Sequence, residues 1–362
     1  MKKIYYITVV FATLFLVGCG DGIDLPGVNV ETDLNKIPLP DNNVNLEQVE
    51  LKPSTEPMLH EGLHTEEDFQ RIRDKKAAGE EPWVSAYQLL VESQFSQKTA
   101  DTYPTEWIKR GVSGDENYMN AARGATIAYQ QALRWKIEQD DEYAAKAVEN
   151  LNKWVQTCVG VTGNTNLSLA AGLYGYEFAI AGELLRDYGG WDRADFAAFQ
   201  NWLLKVFYPA NDDFLKRHHD TNALHYWANW CLCNIAAKMA IGIVTDRRDI
   251  YNEGIAHLQT GDTNGRLRRA IYHDYAPDYN FAQWQESGRD QGHTLMCVGL
   301  MGVICQLAWS QGDDFFAYDD NLFLRACEYA ACCNYTNETV PYTTYIWQKQ
   351  SQWGYPIPEE QT

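Results

Sequence analysis

Residues 223–243 read ALHYWANWCLCNIAAKMAIGI. As a helix, this stretch is apolar on nearly every side rather than along one stripe, so neighbours must cover it on more than one side. Residues 167–182, LSLAAGLYGYEFAIAG, have the same character. Consecutive antiparallel helices in two layers satisfy that requirement. The pattern therefore predicts an all-α fold, a single (α/α) toroid that forms an incomplete barrel of antiparallel helix pairs over residues 58–362. Helices are expected at about 115–138, 141–158, 167–187, 192–207, 222–244, 247–259, 290–311 and 316–333. Thr65 reads as an N-cap before Glu66, Glu67 and Asp68, and Pro82 opens a further helix at Trp83. No period-2 alternation marks a strand in the central region.

The N-terminus has a different character. Lys2 and Lys3 precede the apolar run Ile4–Val17, and residues 1–18 form an export leader. The run is short for a membrane span, which needs about 20 residues. Leu16-Val17-Gly18-Cys19 resembles a bacterial lipobox, which implies cleavage before Cys19 and acylation of its thiol. Residues 19–57, with Pro, Asn, Asp and Gly and no periodicity, read as a flexible tether. The expectation is an exported bacterial lipoprotein, in the periplasm or at the outer-membrane surface and joined to the membrane through Cys19. Nothing later in the chain reads as long and apolar enough to cross a bilayer.

Of the 362 residues, 45% are hydrophobic and 22% charged, which excludes a largely disordered chain. The formal charge of −19 argues against nucleic acid as a partner. Beyond Cys19, most of the eight cysteines fall in apolar helical runs, where Cys behaves as a small buried hydrophobe.

Three patches carry candidate chemistry. Asn222, His225 and Asn229 fall at i, i+3 and i+7 of the expected 222–244 helix, forming a polar stripe that needs partners or a water-filled cavity. Helix-to-helix hydrogen bonding is the alternative, and Lys216-Arg217-His218-His219 adds cations upstream. Arg266, Arg268 and Arg269 precede Tyr272-His273-Asp274-Tyr275, where Arg can hold a carboxylate and Tyr can exchange a proton. A phenol titrates near 10 and needs positive charge or donors beside it to act as a base, and Arg269 is a candidate source. The third patch is Gln283–His293. On a helix starting near Ser287, Arg289 and His293 would be i and i+4 neighbours, with Asp290 orienting either. A salt-bridge network at a helix start, or a Glu286 pair with Asp290 or Asp274 suited to glycoside hydrolysis, are the competing readings. His218, His219, His225 and His293 are the residues that could gather a metal.

At these residues the chain resembles the alginate-lyase-like superfamily of polysaccharide lyases with an (α/α) toroid fold. The carrying segments are HDTNALHYWANWCLCN (219–234), RAIYHDY (269–275), QWQESGRDQGHT (283–294) and AWSQGDD (308–314), and the similarity covers most of residues 60–345. The resemblance implies β-elimination on a uronic-acid polymer such as alginate or glucuronan, an anionic polysaccharide substrate, and no metal or cofactor. It implies Tyr275 as acid and base, Arg269 as the arginine preceding it, and His225 or His219 as the histidine. The asparagine is Asn222 or Asn164. Trp227 and Trp284 are candidates for stacking on sugar, with Glu286, Arg289 and His293 on the substrate wall; Trp230 reads more as core. The adjacent Asn-His pair of such lyases is replaced by His225 three residues after Asn222, which leaves the histidine open. The alternatives are an α/α-barrel glycoside hydrolase and a non-catalytic glycan-binding lipoprotein.

Overall fold

The computed structural model describes residues 44, 46, 54–336, 339–350 and 356–361. The leader, Cys19 and most of the tether lie outside the described residues. From Glu66 onward the chain is a succession of helices: α1 (Glu66–Ala77), α2 (Trp83–Glu92), α3 (Tyr118–Glu138) and α4 (Asp141–Thr157). Then come α5 (Leu167–Leu184), α6 (Arg193–Val206), α7 (Tyr208–Arg217) and α8 (Ala228–Val244). The series ends with α9 (Arg248–Thr260), α10 (Gln291–Trp309) and α11 (Tyr318–Tyr335). Thr65 caps α1 as expected: its side chain accepts from the Asp68 amide while Asp68 accepts from the Thr65 amide.

Helices α3, α5, α8 and α10 form the inner layer, each packing on the next, while α4 and α9 lie outside against α3 and α8. This is the two-layer arrangement that the all-round apolar helices require. Gly172 of α5 lets α8 come close, since a Cβ there would lie 2.5 Å from Cys233 Sγ. Trp154, Phe178, Phe199 and Phe207 are fully buried between the layers, each contributing on the order of 1.5–3 kcal/mol by leaving water. By length and composition α10 is apolar enough to cross a bilayer, contrary to the sequence expectation, but it is an inner helix packed on α8. The eight cysteines of the described residues are free thiols.

Short strands, which the sequence did not signal, occupy one end of the barrel. β1 (Trp107–Arg110) and β2 (Gly160–Gly163) pair in parallel. β3 (Ile271–Asp274) and β4 (Ala282–Trp284) pair antiparallel, and so do β5 (Tyr345–Gln350) and β6 (Pro356–Gln361). The inner helices all begin at this end. β1 and β2 lead into α3 and α5, His219 meets Ser168 in the first turn of α5, and the Gln285 side chain accepts from the first amide of α8.

Candidate functional site

The helix expected from residue 222 starts at Ala228. The six residues before it cannot be helical because side chains claim their backbone. Asn222 Oδ1 accepts from the Leu224 amide at 2.9 Å, and Asn264 Nδ2 donates to the carbonyls of Leu224 and Tyr226, both at 2.9 Å. Trp347 Nε1 donates to the His225 carbonyl at 2.6 Å. Asn222, His225 and Asn229 therefore do not form a helical stripe. Asn222 Nδ2 instead donates to the Gln348 carbonyl at 2.9 Å, bracing β5, and Asn229 is buried with Nδ2 on Met296 Sδ at 3.6 Å. Upstream, His218, His219 and Asp220 all have positive φ of 49–60°, a conformation that costs roughly 1–2 kcal/mol for each such residue. This strained turn sets the His219 ring against Ser168 Oγ at 2.9 Å.

A continuous series of ring contacts joins the sequence candidates. It runs from His219 to Tyr226 (5.7 Å between centroids), His225 (4.8 Å), Trp347 (5.7 Å), Trp227 (4.7 Å) and Tyr345 (5.9 Å). It continues through Tyr272 (5.0 Å) and His273 (6.1 Å) to Tyr275 (4.5 Å). The Arg289 guanidinium lies 4.6 Å above the Trp227 ring. These contacts link His219, His225 and Tyr275 in one wall of packed rings whose middle members, Trp227, Tyr345 and Tyr272, are buried, with Arg289 against Trp227 and β5 forming part of it.

Tyr275 is half-buried, and its hydroxyl donates to Gln283 Oε1 at 2.5 Å and contacts Thr343 Oγ1 at 3.1 Å. Burial raises its pKa above the ordinary phenol value, only partly offset by Thr343. Arg269, expected to act on Tyr275, lies in a single helical turn (Leu267–Ala270), and its charge acts on Tyr345. Tyr275 as placed is a proton donor rather than a phenolate. Burial lowers His225 to about 4, with Lys349 adding to the effect, and also lowers His219 and His293. All three imidazoles are neutral at pH 7.

The Gln283–His293 segment is a network, not the start of a helix at Ser287. Asp290 is the N-cap of α10, accepting from the His293 amide, and its carboxylate lies 2.7 Å from His293 Nδ1. Arg289 sits just before the helix with Nη1 2.6 Å from Glu286 Oε2. Glu286 is 1% exposed, and burial pushes its carboxyl up to about 8 against the pull of Arg289. Asp274, the other acid considered with Glu286, is held by Arg325 at 2.6 Å and by Arg268 at 3.7 Å. The hydrolase pairing therefore finds both partner acids engaged in the scaffold. Trp284 is also no platform for sugar, being 1% exposed with Nε1 on the Ala326 carbonyl. Asn164 is exposed after β2 and turns its Oδ1 to the Asn166 amide. No group of three or more His, Cys, Asp or Glu gathers as a metal site among the described residues.

A cavity of about 300 Å³ lined by His60, His64, Tyr129 and Glu183 lies at the other end of α5. That is roughly 22 Å along the helix from Ser168, so it is separate from the wall.

Several solved structures share this architecture. The crystal structure of alginate lyase A1-III from Sphingomonas species A1 superposes with a TM-score of 0.55 at 15% identity, covering 76% of this chain and 80% of that one. A complex of an A1-III variant with a tetrasaccharide gives 0.53 at 16% identity, over 74% and 77%. An alginate lyase from Bacteroides ovatus gives 0.55 at 15% identity, over 74% and 81%. No curated protein matches the sequence. The family model described as alginate lyase matches residues 72–338, and with that span covering the toroid and every residue of its wall up to His293, the chain belongs to the alginate lyase family of polysaccharide lyases.

Proposed function

We propose that the chain cleaves a uronate polymer, alginate or glucuronan, by β-elimination at the wall between His219 and Tyr275. The observation that supports this reading is the series of ring contacts that links neutral imidazoles to Tyr275, with Arg289 seated over Trp227. In this reading Arg289 takes the C6 carboxylate of the unit to be cleaved, with Glu286 fixing the guanidinium from beneath and Arg269 adding positive potential. Neutralising the carboxylate makes the C5 proton acidic. A neutral imidazole removes it, the C4–O4 bond breaks, and Tyr275 gives its proton to the departing O4. His225 or His219 serves as that base, and Ser168 orients the His219 ring.

The product carries a C4–C5 double bond conjugated with the carboxylate and absorbs near ~235 nm. Polymannuronate, polyguluronate, glucuronan and hyaluronan should be compared. The expected result is a rise in absorbance on at least one polymer that falls by roughly 100-fold or more in Tyr275→Phe. New reducing ends without that absorbance would mean hydrolysis and reject the reading.

A further inference from the structure

Four arginines of the described residues are more than nine-tenths buried: Arg110, Arg134, Arg186 and Arg325. Three of them hold carboxylates, Arg134 on Glu138, Arg186 on Glu183 and Arg325 on Asp274. Arg110, 6% exposed, does not. Its Nη1 has no hydrogen-bond partner among the described residues, and its guanidinium rests 4.6 Å from the centre of the Tyr118 ring. A buried cation without an anion is among the costliest arrangements a fold can keep. In a chain with a formal charge of −19, a carboxylate partner would have been easy to supply from within.

The surroundings of Arg110 suit an anion from outside. Arg110 is the last residue of β1 and pairs with Gly163, the last of β2. Gly163 needs its glycine, because a Cβ there would lie 1.7 Å from the Arg110 carbonyl oxygen. Gly111 has the same requirement toward Asn164, whose Oδ1 would be 1.8 Å from an added Cβ. The two strand ends are thus pressed together, with the Arg110 backbone beside the Asn164 loop. Two inner helices begin here, α3 after Asn117 and α5 after Asn166, and neither N-cap side chain caps its helix. The first amides of α5 are already bonded, Leu167 to the Asn164 carbonyl and Ser168 to the Thr165 carbonyl, and Glu116 accepts from the Gly111 amide at 2.5 Å, so these helix starts add their dipole field alone to the guanidinium. Asn164 leads through Thr165 and Ser168 to His219, so this patch continues the wall at the end away from Tyr275.

We infer that Arg110 and Asn164 form a second carboxylate-binding subsite, which takes a uronate unit of the polymer other than the one losing its C5 proton. The inference rests on the lyase reading above. A uronate polymer offers a carboxylate on every unit, and the bound chain supplies the anion that the fold withholds. Arg110 is here a binding residue and not part of the proton transfers.

The test uses the full chain and oligouronates of increasing length, prepared from whichever of the four polymers the wild type cleaves. Arg110→Gln should raise KM about tenfold or more for oligomers long enough to reach the subsite. It should leave kcat within about twofold, and leave the shortest cleaved oligomer nearly unaffected. Unchanged KM on long oligomers in a variant with wild-type helical signal overturns the subsite, as does a loss of kcat equal at every length. If Arg110→Gln does not fold, Arg110→Lys is read in the same assay, because it keeps the charge but loses the two-pronged contact. A KM raised threefold or more on long oligomers supports the subsite, and an unchanged one overturns it. A wild type that neither cleaves nor binds any of the four polymers rejects the lyase reading and the subsite together. Cleavage with no length-dependent effect rejects the subsite alone.

Discussion

Glu286 shows how one residue can be legible in sequence and still be misassigned. The spacing to Arg289 and the Asp290–His293 pair read correctly as a network, since groups three residues apart meet at a helix start. What the spacing did not carry was depth: one carboxyl oxygen is bound to Arg289 while the other has no hydrogen-bond partner among the described residues. Burial raises the folded-state value from 4.5 to about 8. The group therefore contributes stability in full below pH 4.5, and that contribution is lost as pH rises through about 8. Glu286→Gln removes the titration, so its thermal midpoint should fall less between pH 5 and pH 8 than that of the wild type. Parallel declines in the two proteins would contradict this account. Arg110 was invisible to sequence reading because nothing in Trp107-Ile108-Lys109-Arg110 tells which face of a four-residue strand is buried. Trp284 was misplaced for the same reason, since all three residues of β4 are buried.

The helices were readable as elements because their apolar positions repeat over many turns, and most observed ends lie within a few residues of those expected. The largest miss, 222–227, comes from side chains of Asn264 and Trp347 that bind its carbonyls from far along the chain. No local pattern encodes such partners. The strands were missed because three to six residues offer too few alternations to detect. One of them matters for the site: β5 lays Trp347 against Trp227 and His225, while the preceding Thr343 binds Tyr275 and Gln283. The Tyr342 hydroxyl lies where any side chain on Gly288 would have to go. Deleting residues 341–362 should leave the helical circular dichroism near that of the full chain, since the inner layer does not rest on this segment. Lyase turnover should drop about tenfold or more as Tyr275 and Trp227 lose these supports. A faster enzyme would instead make the segment a cover that has to leave.

As a whole the molecule is acidic, and four inner helices begin at the end where Arg110, Arg269 and Arg289 lie, among the carboxylates of Glu116, Asp274, Glu286 and Asp290. In a chain at −19, those guanidiniums and helix starts are the local positive groups that a polyanion would meet. The toroid itself could be inferred from the all-round apolar helices, whereas the gathering of helix starts at the site end is a property of the assembled layers. The same layers set the depth of eight unbridged thiols. Cys231 and Cys233 are completely buried, Cys297 and Cys305 nearly so, and Cys327 and Cys333 on α11 are partly exposed. Under a thiol-alkylating reagent at native pH, Cys327 and Cys333 should be modified first, through small excursions of α11. Cys231 and Cys233 should follow only at the rate at which the inner layer opens. Uniform labelling of all eight would mean that the barrel comes apart in one step. Graded labelling would make the cysteines a built-in stratigraphy, recording by mass the order in which the layers separate.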